Sequence, residues 1–177
     1  EHLAADGRRQ AARLAERLAG LPIAALYSSP VERARETAAP LAARLGLPVC
    51  DAPGAVEIDF GEWTGRTFEE LARDPRWGPF NGFRSATRIP GGELIVETQA
   101  RVVVELERLR ERHPDAVVAV VSHADVIRAA LCHYAGIPLD LMLRLEIACA
   151  SVSVLEVTPY GARILRLNDD GEVMPRA

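Results

Sequence analysis

Apolar and polar positions repeat along this chain with two different periods, and these periods predict a mixture of helices and strands. Residues 7–19 carry apolar side chains at every third or fourth position, which predicts an amphipathic helix. The same spacing predicts further helices at about 30–45, 67–73, 93–113 and 125–135. Short apolar runs predict strands at 23–27, 47–50, 116–121, 150–157 and 163–168.

The order of these elements predicts the fold class. Strands that alternate with helices indicate an α/β domain, a three-layer α/β/α sandwich with a mostly parallel central sheet. The last two strands are joined by a tight turn at Tyr160 and Gly161, which predicts an antiparallel edge strand. Residues 51–66 and 74–92 are rich in glycine, proline and acidic residues, and we expect irregular structure there.

The first predicted helix begins almost at once, with no strand before it. An α/β domain usually opens with a core strand, and residues 1–177 otherwise predict a single domain. We therefore expect either that residues are missing upstream or that a break lies near Glu1 and His2.

Composition narrows the class of protein. Of the 177 residues, 49% are hydrophobic and 26% are charged, which is ordinary for a soluble globular domain. The net charge of −4 and the lack of a basic block predict no nucleic-acid partner. No apolar run reaches membrane-spanning length and no signal peptide is visible, so we expect no membrane partner and a cytoplasmic location.

The cysteines and histidines show no metal-binding spacing. Cys50, Cys132 and Cys149 are far apart in the sequence. We expect all three to be buried and to pack as small apolar side chains, in a protein of a reducing compartment. None of the four histidines has ligand spacing to another, so no metal and no cofactor are predicted.

The strand predicted at 116–121 ends in Ser122 and His123, directly before a helix. Its β-branched composition suits a strand buried on both faces of a parallel sheet. Ligand sites of such sheets lie beyond the carboxyl ends of the strands, near helix N-termini that favour anions. His123 is thus placed for chemistry on a negatively charged group. The alternative is a histidine that merely hydrogen-bonds to a loop.

A second strand end carries SSPVERARETA, residues 28–38. Arg33 lies in the first turn of the following helix, where a guanidinium can pair with phosphate or carboxylate. Arg35 does not share its face, so at most one of the two should point into a cleft. The alternative is that both are solvated charges paired with Glu32 and Glu36.

A third segment, EIDFGEWTG at 57–65, places carboxylates beside aromatic residues and glycines: Glu57, Asp59, Glu62, Phe60 and Trp63. Partial burial raises the pKa of a carboxyl group, which would allow it to act as a general acid. The alternative is a solvated acidic loop.

In PGGE, residues 90–93, we interpret Glu93 as an acidic residue in the first turn of the long helix, where its charge complements the helix dipole. The aromatic residues at 77–83 and Arg84 either line a pocket mouth or anchor a loop.

These segments occur in the order SSPVERARETA, EIDFGEWTG, PGGE and VVSHADVIRAAL. As a set they resemble the histidine phosphatase superfamily, in its phosphoglycerate-mutase-like branch, from about Leu3 to Leu155. The motif EIDFGEWTG and the short chain are most similar to broad-specificity and alpha-ribazole phosphatase-type members. The resemblance implies an α/β/α fold and phosphoryl transfer through a phosphohistidine.

The resemblance also implies roles for individual residues. Arg33 is similar to the arginine that clamps the phosphate, and Glu57 to the acid that protonates the leaving oxygen. His123 is similar to the second histidine of the pocket, which hydrogen-bonds the transferring phosphoryl group with help from the Ala124 backbone N–H. The expected catalytic residues are therefore Arg33, Glu57 and His123, and the expected substrate-binding residues are Arg33, His123 and Ala124.

Two departures from the family pattern matter. The family's nucleophile lies in an Arg-His-Gly motif at the end of the first strand, and residues 1–177 contain no such motif. Where the family often has glycine after the second histidine, this chain has Ala124 and Asp125. Asp125 either adds negative charge near the phosphate pocket or caps the helix.

The function implied is that of a metal-independent phosphatase acting on a small phosphorylated metabolite. The alternatives are a phosphoglycerate mutase and a non-catalytic relative that binds a phosphate ligand. The substrate and the oligomeric state are left open by the sequence.

Overall fold

The structure, a computed structural model, describes residues 2–171, which form six helices and five strands. The helices are α1 (Ala5–Leu18), α2 (Glu32–Leu45), α3 (Phe68–Ala72), α4 (Trp77–Gly82), α5 (Ile95–Arg112) and α6 (Ala124–Ala135). The strands are β1 (Ile23–Ser28), β2 (Val49–Asp51), β3 (Val117–Val121), β4 (Val152–Thr158) and β5 (Gly161–Asp169). Short 3₁₀ turns lie in several of the connections.

The central sheet is parallel, with strand order β2-β1-β3, and Leu26 of β1 lies opposite Val49 and Ala119. Strands β4 and β5 form an antiparallel hairpin. The predicted α/β class with a mostly parallel sheet is therefore confirmed. The hairpin differs from the prediction, because within residues 2–171 it is a separate sheet and not the edge of the central one.

Helices cover both faces of the parallel sheet, as a three-layer sandwich requires. On one face, Leu26 packs with residues of α1 and α2, including Ala15 and Leu41. On the other face, Tyr27 packs with Leu109 of α5. Neighbouring residues of β1 thus point to opposite layers, which is the period of two expected for a strand buried on both sides.

Strand β3 is less buried than its sequence predicts. Val117 is 47% exposed and the other four residues of the strand are only half-buried. The reason is pairing: among the described residues, β3 is hydrogen-bonded to β1 on one side and to no strand on the other. Strand β4 likewise pairs only with β5 within residues 2–171.

Two predicted helix starts are corrected. Helix α2 begins at Glu32, so Pro30 lies before the helix, although Gly46 ends it in a left-handed conformation as such helix ends prefer. Helix α5 begins at Ile95, and the acidic residue of its first turn is Glu97. Glu93 lies outside the helix, so the interpretation of Glu93 as a first-turn residue was wrong.

The segment predicted to be irregular, 74–92, contains the short helix α4. Phe80 on this helix is fully buried and meets Trp63 edge-to-face, with 5.2 Å between ring centroids. Trp77 also packs edge-to-face on Trp63. Burial of these rings outweighs the poor helix propensity of the glycines and proline in α4. These aromatic residues therefore anchor the segment to the core.

Two expectations from composition can be compared with the structure. Cys132 is buried, but Cys50 is only half-buried and Cys149 is exposed, so the expectation of three buried cysteines was wrong. Among the described residues, no helix combines the length and the apolar character needed to cross a membrane.

Candidate active site

Arg33, Glu57 and His123, which lie far apart in the sequence, meet at one point. One terminal nitrogen of Arg33, Nη2, lies 3.2 Å from Oε2 of Glu57 and 3.2 Å from Nδ1 of His123. The carboxylate and the imidazole are themselves 3.3 Å apart. His123 is buried while Arg33 and Glu57 are partly exposed, so the cluster is open to solvent on their side.

Two parallel strand ends bring Arg33 and His123 together. In the register of β1 and β3, Ser28 lies opposite Val121, and Ser29 N–H continues the pairing to the Val121 carbonyl at 2.8 Å. Just beyond these strand ends, the side chains of Ser29 and His123 meet through Oγ and Nε2 at 2.8 Å. The cluster therefore lies at the carboxyl edge of the sheet, where His123 was predicted to be.

The hydrogen-bond network assigns the tautomer of His123. An arginine can only donate, so Nδ1 accepts from Arg33, and Nε2 carries the proton that is donated to Ser29. Burial lowers the pKa of His123 to about 4, and the charges of Arg33 and Arg101 act in the same direction. The imidazole is accordingly neutral near pH 7.

Glu57 reaches the cluster from the loop 52–57, which follows β2. This loop is attached to both strand ends: Ala52 N–H donates to the Ser28 carbonyl, and the Ser122 hydroxyl donates to the Ala55 carbonyl at 2.7 Å. Burial raises the pKa of Glu57 above its usual value, opposed by the Ile58 N–H and Arg33. The predicted direction of this pKa shift is confirmed.

The charged residues next to Arg33 on α2 point away from the cluster, as their spacing on a helix requires. Arg35 turns away and pairs with Asp51, and Glu36 binds His2 and the Leu3 N–H. The alternative in which Arg33 is merely a solvated surface charge is wrong, because its guanidinium contacts Glu57 and His123.

Of the three carboxylates in EIDFGEWTG, only Glu57 joins the cluster. Asp59 accepts from the Gly61 N–H at 2.9 Å, and Glu62 forms an exposed pair with Arg76. Trp63 is buried and donates from its indole N–H to Asp74. The aromatic residues of the motif therefore hold the loop while Glu57 faces the site.

The glycines of EIDFGEWTG and PGGE let two main-chain segments touch. A Cβ on Gly61 would lie 2.3 Å from the Pro90 carbonyl oxygen, and one on Gly92 would lie 2.2 Å from that of Asp59. The segments are joined by Glu62 N–H to Pro90 and Glu93 N–H to Asp59. The two motifs are thus one packed unit, which explains the glycine spacing.

Asp125 does not cap α6. Its two oxygens pair with Arg84 at 2.8 Å and with Arg128 at 2.7 Å, and the helix has no side-chain cap. Arg84 is buried, and its guanidinium lies 4.6 Å from the centre of the Phe80 ring. Ala124, the first residue of α6, supplies one of the first-turn N–H groups that lack a partner within a helix.

Comparison with known proteins identifies the family. The sequence model of the histidine phosphatase superfamily (branch 1) matches residues 1–170. The chain belongs to this superfamily.

Several relatives carry functional names. Phosphoserine phosphatase 1 of Hydrogenobacter thermophilus is 33% identical, over 94% of this chain and 80% of its own length. A 2,3-bisphosphoglycerate-dependent phosphoglycerate mutase of Thermoplasma acidophilum is 30% identical, over 88% of this chain and 74% of its own.

Solved structures share the fold. Mycobacterial glucosyl-3-phosphoglycerate phosphatase in complex with inorganic phosphate has a TM-score of 0.84 at 26% identity, covering 96% of this chain and 88% of that one. The alpha-ribazole phosphatase of Shigella flexneri has a TM-score of 0.84 at 23% identity, covering 98% and 87%, which shows the shared fold.

The family resemblance is therefore confirmed, and so is the predicted class of enzyme, a phosphoric monoester hydrolase. The roles of Arg33, Glu57, His123 and Ala124 in this histidine phosphatase stay predictions. In residues 2–171 we find no group of three or more His, Cys, Asp or Glu side chains arranged to hold a metal ion.

Sequence reasoning missed one residue at the site. Arg101, on α5, donates to main-chain carbonyls of the 52–57 loop and to Glu93. Its position in the middle of a long amphipathic helix resembles that of any helix-surface arginine, so no local signal distinguishes it. A separation of eight residues in the sequence does not predict the ion pair between Arg101 and Glu93 either.

The Asp125 carboxylate is expected to stabilise the fold strongly, because Arg84 is buried against it. Replacing Asp125 by alanine should lower the free energy of unfolding by about 3–5 kcal/mol, since it leaves the buried positive charge of Arg84 without an opposite charge. Urea denaturation measures this loss, with Asp51→Ala as the control because Asp51 is half-exposed. The double variant Asp125→Ala/Arg84→Met should recover part of the stability. Equal stability of Asp125→Ala and the wild type would contradict this account.

Proposed function

We propose that this histidine phosphatase hydrolyses small phosphomonoesters through a phosphohistidine intermediate, without a metal, in the cytoplasm. The observation that carries the proposal is the convergence of the Arg33 guanidinium on the Glu57 carboxyl and the His123 imidazole. The phosphate in a similar solved structure and the phosphatase names of relatives agree with it. The cysteines are all free, which suits a reducing compartment.

Arg33 would hold the phosphoryl group. Its guanidinium is partly exposed and ends at the centre of the cluster, so a phosphate can approach it from solvent. A planar guanidinium binds two phosphate oxygens at once and keeps its charge at any working pH. The first-turn N–H of Ala124 adds a neutral donor at the same edge of the sheet.

His123 would contact the transferring phosphoryl group as a neutral imidazole. Its position is set by the Ser29 hydroxyl on one side, so only Nδ1 faces the cluster. An incoming phosphate takes Arg33 away from Nδ1 and supplies negative charge. That charge raises the pKa of His123 and favours a proton on Nδ1, which then donates to a phosphoryl oxygen.

Glu57 would act as the general acid. A bound phosphate dianion raises the pKa of Glu57 further, because it adds negative charge and competes for Arg33. In the first step a nucleophilic histidine attacks phosphorus, the bond to the ester oxygen breaks, and that oxygen receives the Glu57 proton. In the second step water attacks phosphorus, the bond between phosphorus and the histidine nitrogen breaks, Glu57 accepts a proton from the water, and inorganic phosphate and the free histidine result.

The nucleophilic histidine would lie on a strand that residues 1–177 do not include. The support is the pairing of the sheets: within residues 2–171, β3 has one unpaired edge and β4 has another. A further parallel strand beside β3 would pair that edge and bury the half-exposed valines of β3. Its carboxyl end would then lie beside His123. We propose that residues 1–177 and this strand form a single domain.

The proposal of an upstream strand leads to a prediction about the sequence of the encoding gene. The codons before Glu1 should specify a short apolar run that ends in Arg-His-Gly. Sequencing of the gene, or intact mass of the natural protein, checks this. An upstream sequence without that motif would favour the alternative of a non-catalytic protein that binds a phosphate ligand.

Replacing Arg33 by alanine should abolish phosphatase activity in the full-length protein. We expect kcat/KM for phosphomonoesters to fall by roughly 10³-fold or more, because transition-state charge on the phosphoryl group loses its cation. Phosphate release from a panel of phosphomonoesters is the measurement. Arg35→Ala is the matched control, since Arg35 lies two residues away and pairs with Asp51.

Assays of the full-length wild type on phosphomonoesters, including 3-phosphoglycerate, distinguish the phosphatase from the mutase and from the non-catalytic binding protein. Efficient interconversion of 3- and 2-phosphoglycerate, in place of phosphate release, would assign the chain to the mutases. No turnover on any ester by the full-length wild type would favour a binding function instead.

Replacing Glu57 by glutamine should slow esters according to their leaving groups. We expect a loss of roughly 10²–10⁴-fold on an alkyl phosphate and a much smaller one on p-nitrophenyl phosphate, whose leaving group needs little protonation. The raised pKa keeps the wild-type acid protonated to higher pH, so kcat/KM should fall as pH rises through that pKa. Glu57→Gln should lack this decline. Equal losses on both esters would exclude Glu57 as the acid.

A further inference from the structure

We propose that Arg101 and Glu93 are positioning residues: together they hold the main chain of the 52–57 loop so that the Glu57 carboxyl group stays beside Arg33 and His123. This inference rests on the function proposed above. Neither residue contacts Arg33 or His123 through a hydrogen bond that the structure records, so both would act through Glu57.

Arg101 reaches from α5 to the carbonyl side of the loop. Its Nη1 donates to the carbonyls of Gly54 at 2.8 Å and Val56 at 2.7 Å, and its Nη2 donates to the carbonyl of Glu57 at 3.2 Å. Three of the four main-chain carbonyls between residues 54 and 57 therefore depend on one guanidinium. The fourth, that of Ala55, accepts from Ser122 at the end of β3.

Glu93 fixes Arg101 from the opposite side. Its two carboxylate oxygens accept hydrogen bonds from Nε and Nη2 of Arg101 at 2.8 and 3.0 Å, which makes a bidentate ion pair. Glu93 also accepts from the Asp59 N–H at 3.0 Å. The pair therefore links the main chain before Glu57 to the main chain after it.

The geometry requires an arginine at position 101. A guanidinium presents several donors in one fixed plane, and here they serve three carbonyls and a carboxylate at once. A lysine ammonium would supply at most three donors from a single atom, so it could replace only part of this set.

The loop also lies directly on α5, so it has little room to move. Gly54 N–H donates to the Glu105 carboxylate at 3.3 Å, and a Cβ on Gly54 would lie 2.6 Å from the Arg101 carbonyl oxygen. The position of α5 and the position of Glu57 are therefore coupled. Loss of the Arg101 side chain would remove three hydrogen bonds from the loop and leave its attachments to the two strand ends, through Ala52 and Ser122, and to Glu105.

The expected consequence concerns proton transfer more than binding. His123 is held by Ser29 at the end of β1, and Arg33 lies on α2, so both should keep their positions without Arg101 and phosphate binding should survive. Glu57 would shift and become more hydrated, and a displacement of about 1 Å at a catalytic group can lower the rate roughly 100-fold.

The test measures kcat and KM of the full-length protein on glycerol 2-phosphate and on p-nitrophenyl phosphate. Arg101→Met should lower kcat on glycerol 2-phosphate by roughly 10- to 100-fold, with a much smaller loss on p-nitrophenyl phosphate and little change in either KM. The decline of kcat/KM at high pH should move to lower pH, because a hydrated Glu57 has a lower pKa. Arg101→Lys should recover part of the loss.

A double variant shows whether Arg101 acts through Glu57. Arg101→Met should cost almost nothing further when Glu57→Gln is already present, whereas independent effects would multiply. Arg110→Met is the matched control, because Arg110 lies on the same helix and pairs with Glu107. It should behave as the wild type does.

Several outcomes would overturn the proposal. Equal losses on the two esters, or full multiplication of effects in the double variant, would make Arg101 a purely structural residue. Where Arg101→Met does not fold, Arg101→Lys and Glu93→Gln decide: both should show the same ester preference more weakly, and an unchanged preference in both contradicts the inference. A wild-type protein without any turnover would refute the proposed function instead.

Discussion

The contact on which the site depends is the double hydrogen bond of a single nitrogen, Nη2 of Arg33, to a carboxyl group and an imidazole. A permanent cation at this point balances Glu57 and disfavours a charged His123. The cluster therefore combines one permanent positive charge with a neutral imidazole and a carboxyl group whose pKa is raised. In the proposed function, a phosphate that enters would replace Glu57 and His123 as the partner of Arg33, and this exchange would bring both residues towards their protonated forms. Binding itself would prepare the acid.

Contacts outside the cluster also hold it in place. Ser29 and Ser122 lie at adjacent strand ends, and each binds a partner across the edge of the sheet. The PGGE segment supports the loop that carries Glu57 through contacts that only glycine permits at positions 61 and 92. Segments that are about 30 residues apart in the sequence thus behave as one structural part.

Much of this arrangement could be predicted from the sequence. Hydrophobic periodicity located the main helices and strands, because each has one face in a core layer. Strand ends followed by small polar residues located His123 and Arg33, since the carboxyl edge of a parallel sheet is shared by its strands. The separate roles of Arg33 and Arg35 followed from their spacing on a helix.

The remaining features could not be predicted, because they depend on long-range contacts. Helix α4 exists because Phe80 is buried, against its local propensity. Asp125 meets Arg84 across 41 residues, and Arg101 meets Gly54 across 47. Nothing near either arginine in the sequence reveals these partners. The exposure of β3 likewise follows from its unpaired edge within residues 2–171 and not from its own valines.

The upstream strand proposed above would have a consequence for the order of folding. It would pair with the edges of β3 and β4 that are open within residues 2–171, more than a hundred positions later in the chain. Such pairing carries the largest loop-closure cost in the domain, so it would form late and slowly. Until then, the valine-rich edge of β3 would be available to strands of other molecules. Assembly of the catalytic centre and protection from aggregation would thus be completed in the same step.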